Sequence, residues 1–130
     1  MAEKPRILVM DDEEALLRTL KIILPMSGYE IETAAEGKEA IALYQKAQAA
    51  NQPFTAVLLD LNVPSGMMGG LAAAKEIQKI DPQARLVACS GDPADDTMIN
   101  YKTHGFITVM IKPYDVEEIR RILKEVTNGE

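Results

Sequence analysis

Ile7-Leu8-Val9-Met10-Asp11-Asp12 is a short apolar run that stops at paired carboxylates. The same construction recurs along the chain: Ala56-Val57-Leu58-Leu59 stops at Asp60, Leu86-Val87-Ala88-Cys89 at Ser90, and Val109-Met110-Ile111 at Lys112-Pro113. Unbroken apolar runs of this length suit parallel strands covered on both faces by helices. If all four lie in one parallel sheet, their C-terminal ends share one edge. Carboxylates, a hydroxyl and an ammonium then converge on a single cleft, although Asp11 and Lys112 stand at opposite ends of the sequence. Open α/β sheets bind their ligands at that edge.

Working outward, short apolar runs alternate with amphipathic stretches throughout. The predicted strands are 6–10, 29–33, 54–59, 85–90 and 107–111, and the predicted helices are 13–26, 37–50, 69–80, 93–104 and 115–127. The second strand, Tyr29-Glu30-Ile31-Glu32-Thr33, alternates polar with apolar and reads as an edge strand. Ser27-Gly28, Asn51-Gln52-Pro53 and Asp81-Pro82 close the first three helices, and Asp92-Pro93 is placed to cap the fourth. Such alternation predicts an α/β fold, a doubly wound five-stranded parallel sheet with right-handed crossovers. The 130 residues fit one domain, 1–130, with a core of about 5–127.

The composition is that of an ordinary globular protein, with 47% hydrophobic and 26% charged residues. No apolar run is long enough to cross a bilayer, and residues 1–5 lead straight into a strand, so neither membrane insertion nor a secretory signal is expected. The single cysteine, Cys89, excludes an internal disulfide and reads as a small buried hydrophobe. A cytoplasmic setting follows. A net charge of −6 argues against direct nucleic-acid binding, which needs a basic face.

The acidity does suit a divalent cation. Asp11, Asp12 and Asp60 packed together would repel strongly without one, and hard oxygen ligands in that number suit Mg²⁺, which shares its sites readily with phosphate. No His/Cys cluster for zinc and no GxxxxGK[ST] nucleotide loop is present. A carboxylate, with an ordinary pKa of about 3.9, is already ionised at neutral pH and can act as a nucleophile without a general base. Lys112, Mg²⁺ and the Ser90 hydroxyl are the groups available to neutralise a transferring phosphoryl group. The reading is phosphoryl transfer to Asp60. Each element has a plain alternative: Asp11-Asp12 as a helix cap, Asp60 as a turn acid, Ser90-Gly91 as a turn, Lys112 as a surface lysine before a loop proline. These alternatives are independent, and their coincidence at four strand ends favours a site.

Ile7-Leu8-Val9-Met10-Asp11-Asp12-Glu13, Leu58-Leu59-Asp60-Leu61-Asn62-Val63-Pro64, Ser90-Gly91 and Lys112-Pro113-Tyr114 together resemble the receiver domain of two-component response regulators, the fold of the chemotaxis regulator. The resemblance covers nearly the whole chain. It implies the flavodoxin-like sheet order 2-1-3-4-5. It implies that Asp60 is the phosphoacceptor, taking its phosphoryl group from a phosphohistidine of a sensor histidine kinase or phosphotransfer protein. It implies that Asp11, Asp12, Asp60 and the backbone carbonyl of Asn62 hold Mg²⁺ directly or through water. By the same resemblance Ser90 and Lys112 bind the phosphoryl oxygens, the Lys112–Pro113 peptide bond is cis, and an unidentified downstream protein reads the altered surface.

The chain departs from the commonest pattern in places. The loop Pro64-Ser65-Gly66-Met67-Met68-Gly69-Gly70 is longer and richer in glycine, like that of receivers in some hybrid sensor kinases, and its methionines read chiefly as gap-fillers. Val109 stands where the family carries a switching aromatic, so activation is expected to run through the loop after the fourth strand. Asn62 and Asp92, two past Asp60 and two past Ser90, are expected to tune dephosphorylation, with helix capping the other reading of Asp92. His104 reads as an ordinary helix-end residue. Met98, Ile99, Tyr101 and Ile119 are candidate partner contacts, core packing being the competing reading. An aspartyl-nucleophile phosphatase would want an acid where Asn62 stands, a flavodoxin-like binder would be repelled by Asp11-Asp12-Glu13-Glu14, and a phosphorylation-independent pseudo-receiver would not need the complete site set.

Overall fold

The computed structural model describes residues 4–113 and 115–128; Tyr114, part of one motif quoted above, lies outside them. Ten elements alternate along the chain: β1 (Arg6–Met10), α1 (Glu14–Met26), β2 (Glu30–Ala34), α2 (Gly37–Ala49), β3 (Ala56–Asp60), α3 (Gly70–Ile80), β4 (Leu86–Ser90), α4 (Asp96–Ile99), β5 (Thr108–Ile111) and α5 (Val116–Thr127). The strands form one sheet in the order β2-β1-β3-β4-β5, every neighbouring pair parallel. The expected architecture and order are therefore present, and β2 is an edge strand.

Side-chain alternation along the strands divides the core in two. Leu8, Met10, Val57, Leu59, Leu86 and Ala88 face α2 and α3, meeting Ala40, Tyr44, Ala73, Ala74 and Ile77. Ile7, Val9, Ala56, Leu58, Val87 and Cys89 face α1 and α5, meeting Leu20, Leu24, Ile119, Ile122 and Leu123. This double cover explains why β3 and β4 are buried at every position. The polar ends Asp60 and Ser90 are thus carried by the two strands buried along their whole length. No helix among the described residues is long and apolar enough to cross a membrane.

The fourth helix is the main departure. A helix over 93–104 was the expectation, whereas α4 spans only Asp96–Ile99. Asp92-Pro93 does not start it. The Asp92 carboxylate accepts the Ala94 N–H at 3.0 Å, its carbonyl accepts the Asp95 N–H at 3.1 Å, and Asp95 supplies the cap by accepting the Thr97 N–H at 2.8 Å. Downstream, Asn100 bonds back to Asp96, and the chain winds through turns to Gly105 at φ +88. Short polar side chains competing for backbone N–H groups have broken the helical run. Of the four candidate contacts, Met98 and, on α5, Ile119 are buried in the core, Tyr101 is half-buried against it, and Ile99 is 62% exposed.

Candidate functional site

β1, β3, β4 and the end of β5 bring the expected residues to one edge. Asp60 is the last residue of β3 and is 1% exposed. Its Oδ1 accepts the Asn62 N–H at 3.0 Å, and its Oδ2 accepts from the Lys112 ammonium at 3.1 Å. Asp11, equally buried, continues β1 by donating its N–H to the Ala34 carbonyl, and its Oδ1 accepts the Glu13 N–H at 2.9 Å. Lys112 Nζ also lies 2.7 Å from Asp11 Oδ2, an ion pair whose angle falls outside hydrogen-bond geometry. Asp12 is exposed at the rim, and one oxygen from each of Asp11, Asp12 and Asp60 falls within 4.8 Å of the others.

The electrostatics follow from that packing. Burial pushes the Asp60 carboxyl up to about 6; the Asn62 N–H and Lys112 oppose this, and the charge of Asp11 adds to it. Asp60 thus remains mainly ionised at neutral pH. Burial pulls Lys112 down, but the carboxylates of Asp11 and Asp60 outweigh it and hold the ammonium above its ordinary value. Among the described residues, one cation faces three carboxylates. That surplus of negative charge and the three hard oxygen donors fit a divalent metal ion.

Ser90, fully buried at the end of β4, is tied in from two sides. Its Oγ accepts the Asn62 side-chain amide at 2.7 Å and the Asp92 N–H at 3.1 Å. Asp92 itself is exposed and turns its carboxylate back on Ala94. Lys112 donates its backbone N–H to the Ser90 carbonyl at 2.8 Å, and the Lys112–Pro113 peptide bond is cis. Val109 is half-buried and packs against the α2/α3 side of the core. Beside the carboxylates a cleft of about 330 Å³ is lined by Glu13, Leu16, Gly91, Lys112 and Pro113.

Sequence reasoning missed two features here. Gly70 opens α3 so close under Asp60 that an added Cβ would stand 2.7 Å from the Asp60 carbonyl oxygen. The Gly69-Gly70 doublet at a helix start was its signal. Glu36, the cap of α2, reaches across to the loop after β3 by accepting the Met68 N–H at 3.2 Å. An acid before Gly37 announced the cap, but nothing local announced the second bond.

Residues 7–124 match the response regulator receiver domain family. Over 123 residues the chain is 30% identical to the chemotaxis protein CheY of Thermotoga maritima, covering 94% of this chain and 97% of that one. Among solved structures it resembles Vibrio cholerae CheY4 (TM-score 0.82, 26% identity, 95% of this chain and 98% of that one). It also resembles the CheX–CheY–BeF3–Mg²⁺ complex of Borrelia burgdorferi (TM-score 0.78, 25% identity, 92% and 87%). With the sheet order and the acidic edge as described, the chain belongs to the response regulator receiver domains of two-component signalling.

Proposed function

We propose that the protein is a phosphoacceptor switch, a single receiver module whose Asp60 takes a phosphoryl group from a phosphohistidine of a sensor kinase or phosphotransfer protein. The observation that carries this is the buried, ionised Asp60 held between the Asn62 N–H and the Lys112 ammonium, in a cluster short of positive charge. Asp11, Asp12 and Asp60, with the backbone carbonyl of Asn62, would hold Mg²⁺, which when bound supplies the charge that draws phosphoryl oxygens to the edge.

A carboxylate oxygen of Asp60 attacks phosphorus as the P–N bond to the donor histidine breaks. The P–O bond forms, and the departing imidazole leaves with the electron pair and takes up a proton from solvent. Asp60 needs no base, because it is ionised already. Lys112 follows the negative charge from carboxylate to phosphoryl oxygen. Both lone pairs of Ser90 Oγ are engaged by N–H groups, so its own proton is the part left to donate to a phosphoryl oxygen. Drawing Ser90 inward moves the β4–α4 loop, which carries Asp92 directly on that hydroxyl. Asn62 and Asp92 flank the acceptor and set how water reaches it.

With Val109 packed against the core, the signal leaves through α4 and the face around it. Ile99, Ile107 and Ile111 are exposed there and offer apolar contact to a downstream protein. The setting is cytoplasmic, where phosphohistidine donors act.

Intact-mass measurement after incubation with Mg²⁺ and acetyl phosphate tests this. A single phosphoryl adduct, absent with EDTA and absent in Asp60→Asn, is expected. No adduct with acetyl phosphate or with phosphohistidine donors, and no Mg²⁺ binding, would overturn it.

A further inference from the structure

The loop that leaves Asp60 is anchored at both ends. At the near end the Asn62 N–H bonds Asp60 Oδ1 at 3.0 Å, and its side chain bonds Ser90 Oγ at 2.7 Å. The far end is held by a different element, the start of α2. Met68 donates its N–H to Glu36 Oε1 at 3.2 Å, and the Gly37 N–H donates to the Met68 carbonyl at 2.7 Å. The Met68 side chain lies over Gly37, filling the place of the missing Cβ, which would otherwise stand 2.5 Å from Met68 Cγ. Between these anchors Pro64, Ser65, Gly66 and Met67 are exposed to solvent. Just beyond them, Gly69 and Gly70 pack against the backbone of Leu61 and Asp60.

We infer that Glu36 is a positioning residue for the chemistry at Asp60, acting through a clip of Glu36, Gly37 and Met68 that fixes the returning limb of this loop. The inference rests on the phosphoacceptor reading of Asp60. Without the Glu36 bond, the exposed segment between Asn62 and the packed Gly69-Gly70 would sample more conformations. Pinning the second end on α2 removes that freedom, so the Asn62 backbone is presented to the acceptor already in place. Misplacement by about an ångström is enough to cost up to about a hundred-fold in rate. Glu36 also accepts the Lys38 N–H at 3.1 Å, so one carboxylate caps α2 and holds the loop. Met68 is accordingly a fastener, which gives the long loop a purpose beyond gap-filling.

The neighbouring Glu39 supplies the control. It accepts the Ala35 N–H at 2.7 Å at the same helix start but makes no bond to the loop. Glu36→Ala, Glu36→Gln and Glu39→Ala would be compared with the parent for phosphorylation rate with acetyl phosphate, Mg²⁺ affinity by calorimetry, and amide exchange over residues 61–69 without metal. Expected for Glu36→Ala are phosphorylation about ten-fold slower, weaker Mg²⁺ binding, and faster exchange in the loop. Glu36→Gln, whose amide oxygen accepts the same bonds, should behave as the parent. Glu39→Ala should melt lower yet keep the parent rate, affinity and loop protection. Glu36→Ala matching Glu39→Ala in all three readouts would overturn the inference. A parent that takes no phosphoryl group at all would overturn the phosphoacceptor reading, and this inference with it.

Discussion

The Asn62 side-chain amide donates to the Ser90 hydroxyl at 2.7 Å, joining loops that leave two neighbouring strands 28 residues apart in sequence. Ser90 is buried and Asn62 exposed, so the bond is partly shielded from water and is expected to contribute about 1 kcal/mol. A denaturation cycle of Asn62→Ala, Ser90→Ala and the double variant, without metal, should show coupling of about 1 kcal/mol. Strict additivity would mean that the two loops are independent.

Lys112 is the counter-ion of two buried carboxylates, at 2.7 Å and 3.1 Å. Lys112→Met leaves both without one and should cost about 3 kcal/mol at neutral pH in EDTA. Added Mg²⁺ should restore part of this stability while phosphorylation stays slow. Equal melting temperatures for parent and variant in EDTA would contradict the pairing.

Asp60 has its carboxyl raised by burial to about 6, above its ordinary 3.8. A group with a raised folded pKa stabilises the fold below its unfolded value and loses that contribution as pH rises through the folded one. The metal-free protein should therefore lose stability between about pH 4 and pH 6, and Asp60→Asn should flatten that slope. Mg²⁺ affinity should fall below pH 6, where a proton competes for the same oxygens. Calorimetry across that range reads both effects.

Gly70→Ala drives a Cβ to within 2.7 Å of the Asp60 carbonyl oxygen, a collision with backbone that no rotamer relieves. A loss of about 1–3 kcal/mol is expected, with slower phosphorylation. Gly91→Ala, with open space around it, should change stability by less than about 0.5 kcal/mol. Thermal melts of the two variants side by side decide the matter.

The edge was legible because buried parallel strands write themselves as unbroken apolar runs, and Asp11, Asp60, Ser90 and Lys112 are where those runs stop. The sheet order came from resemblance, since alternation alone fixes handedness and not sequence of strands. α4 was illegible for a physical reason. Residues 93–104 carry helical spacing, yet Asp92 and Asp95 spend their side chains on the Ala94 and Thr97 N–H groups, bonds that a continuous helix would forbid. The Glu36–Met68 and Asn62–Ser90 bonds span 32 and 28 residues, and no local pattern encodes a partner that only the folded chain supplies.

An open sheet has two borders at which a foreign strand could add. Here β2 lines one with Glu30 and Glu32, held by Arg6 at 3.8 Å and 3.6 Å, and β5 ends the other after four residues, just ahead of Pro113. A strand arriving at β2 would have to settle beside charge, and one arriving at β5 would run out of donors at the proline. Both borders therefore work against the addition of a foreign strand.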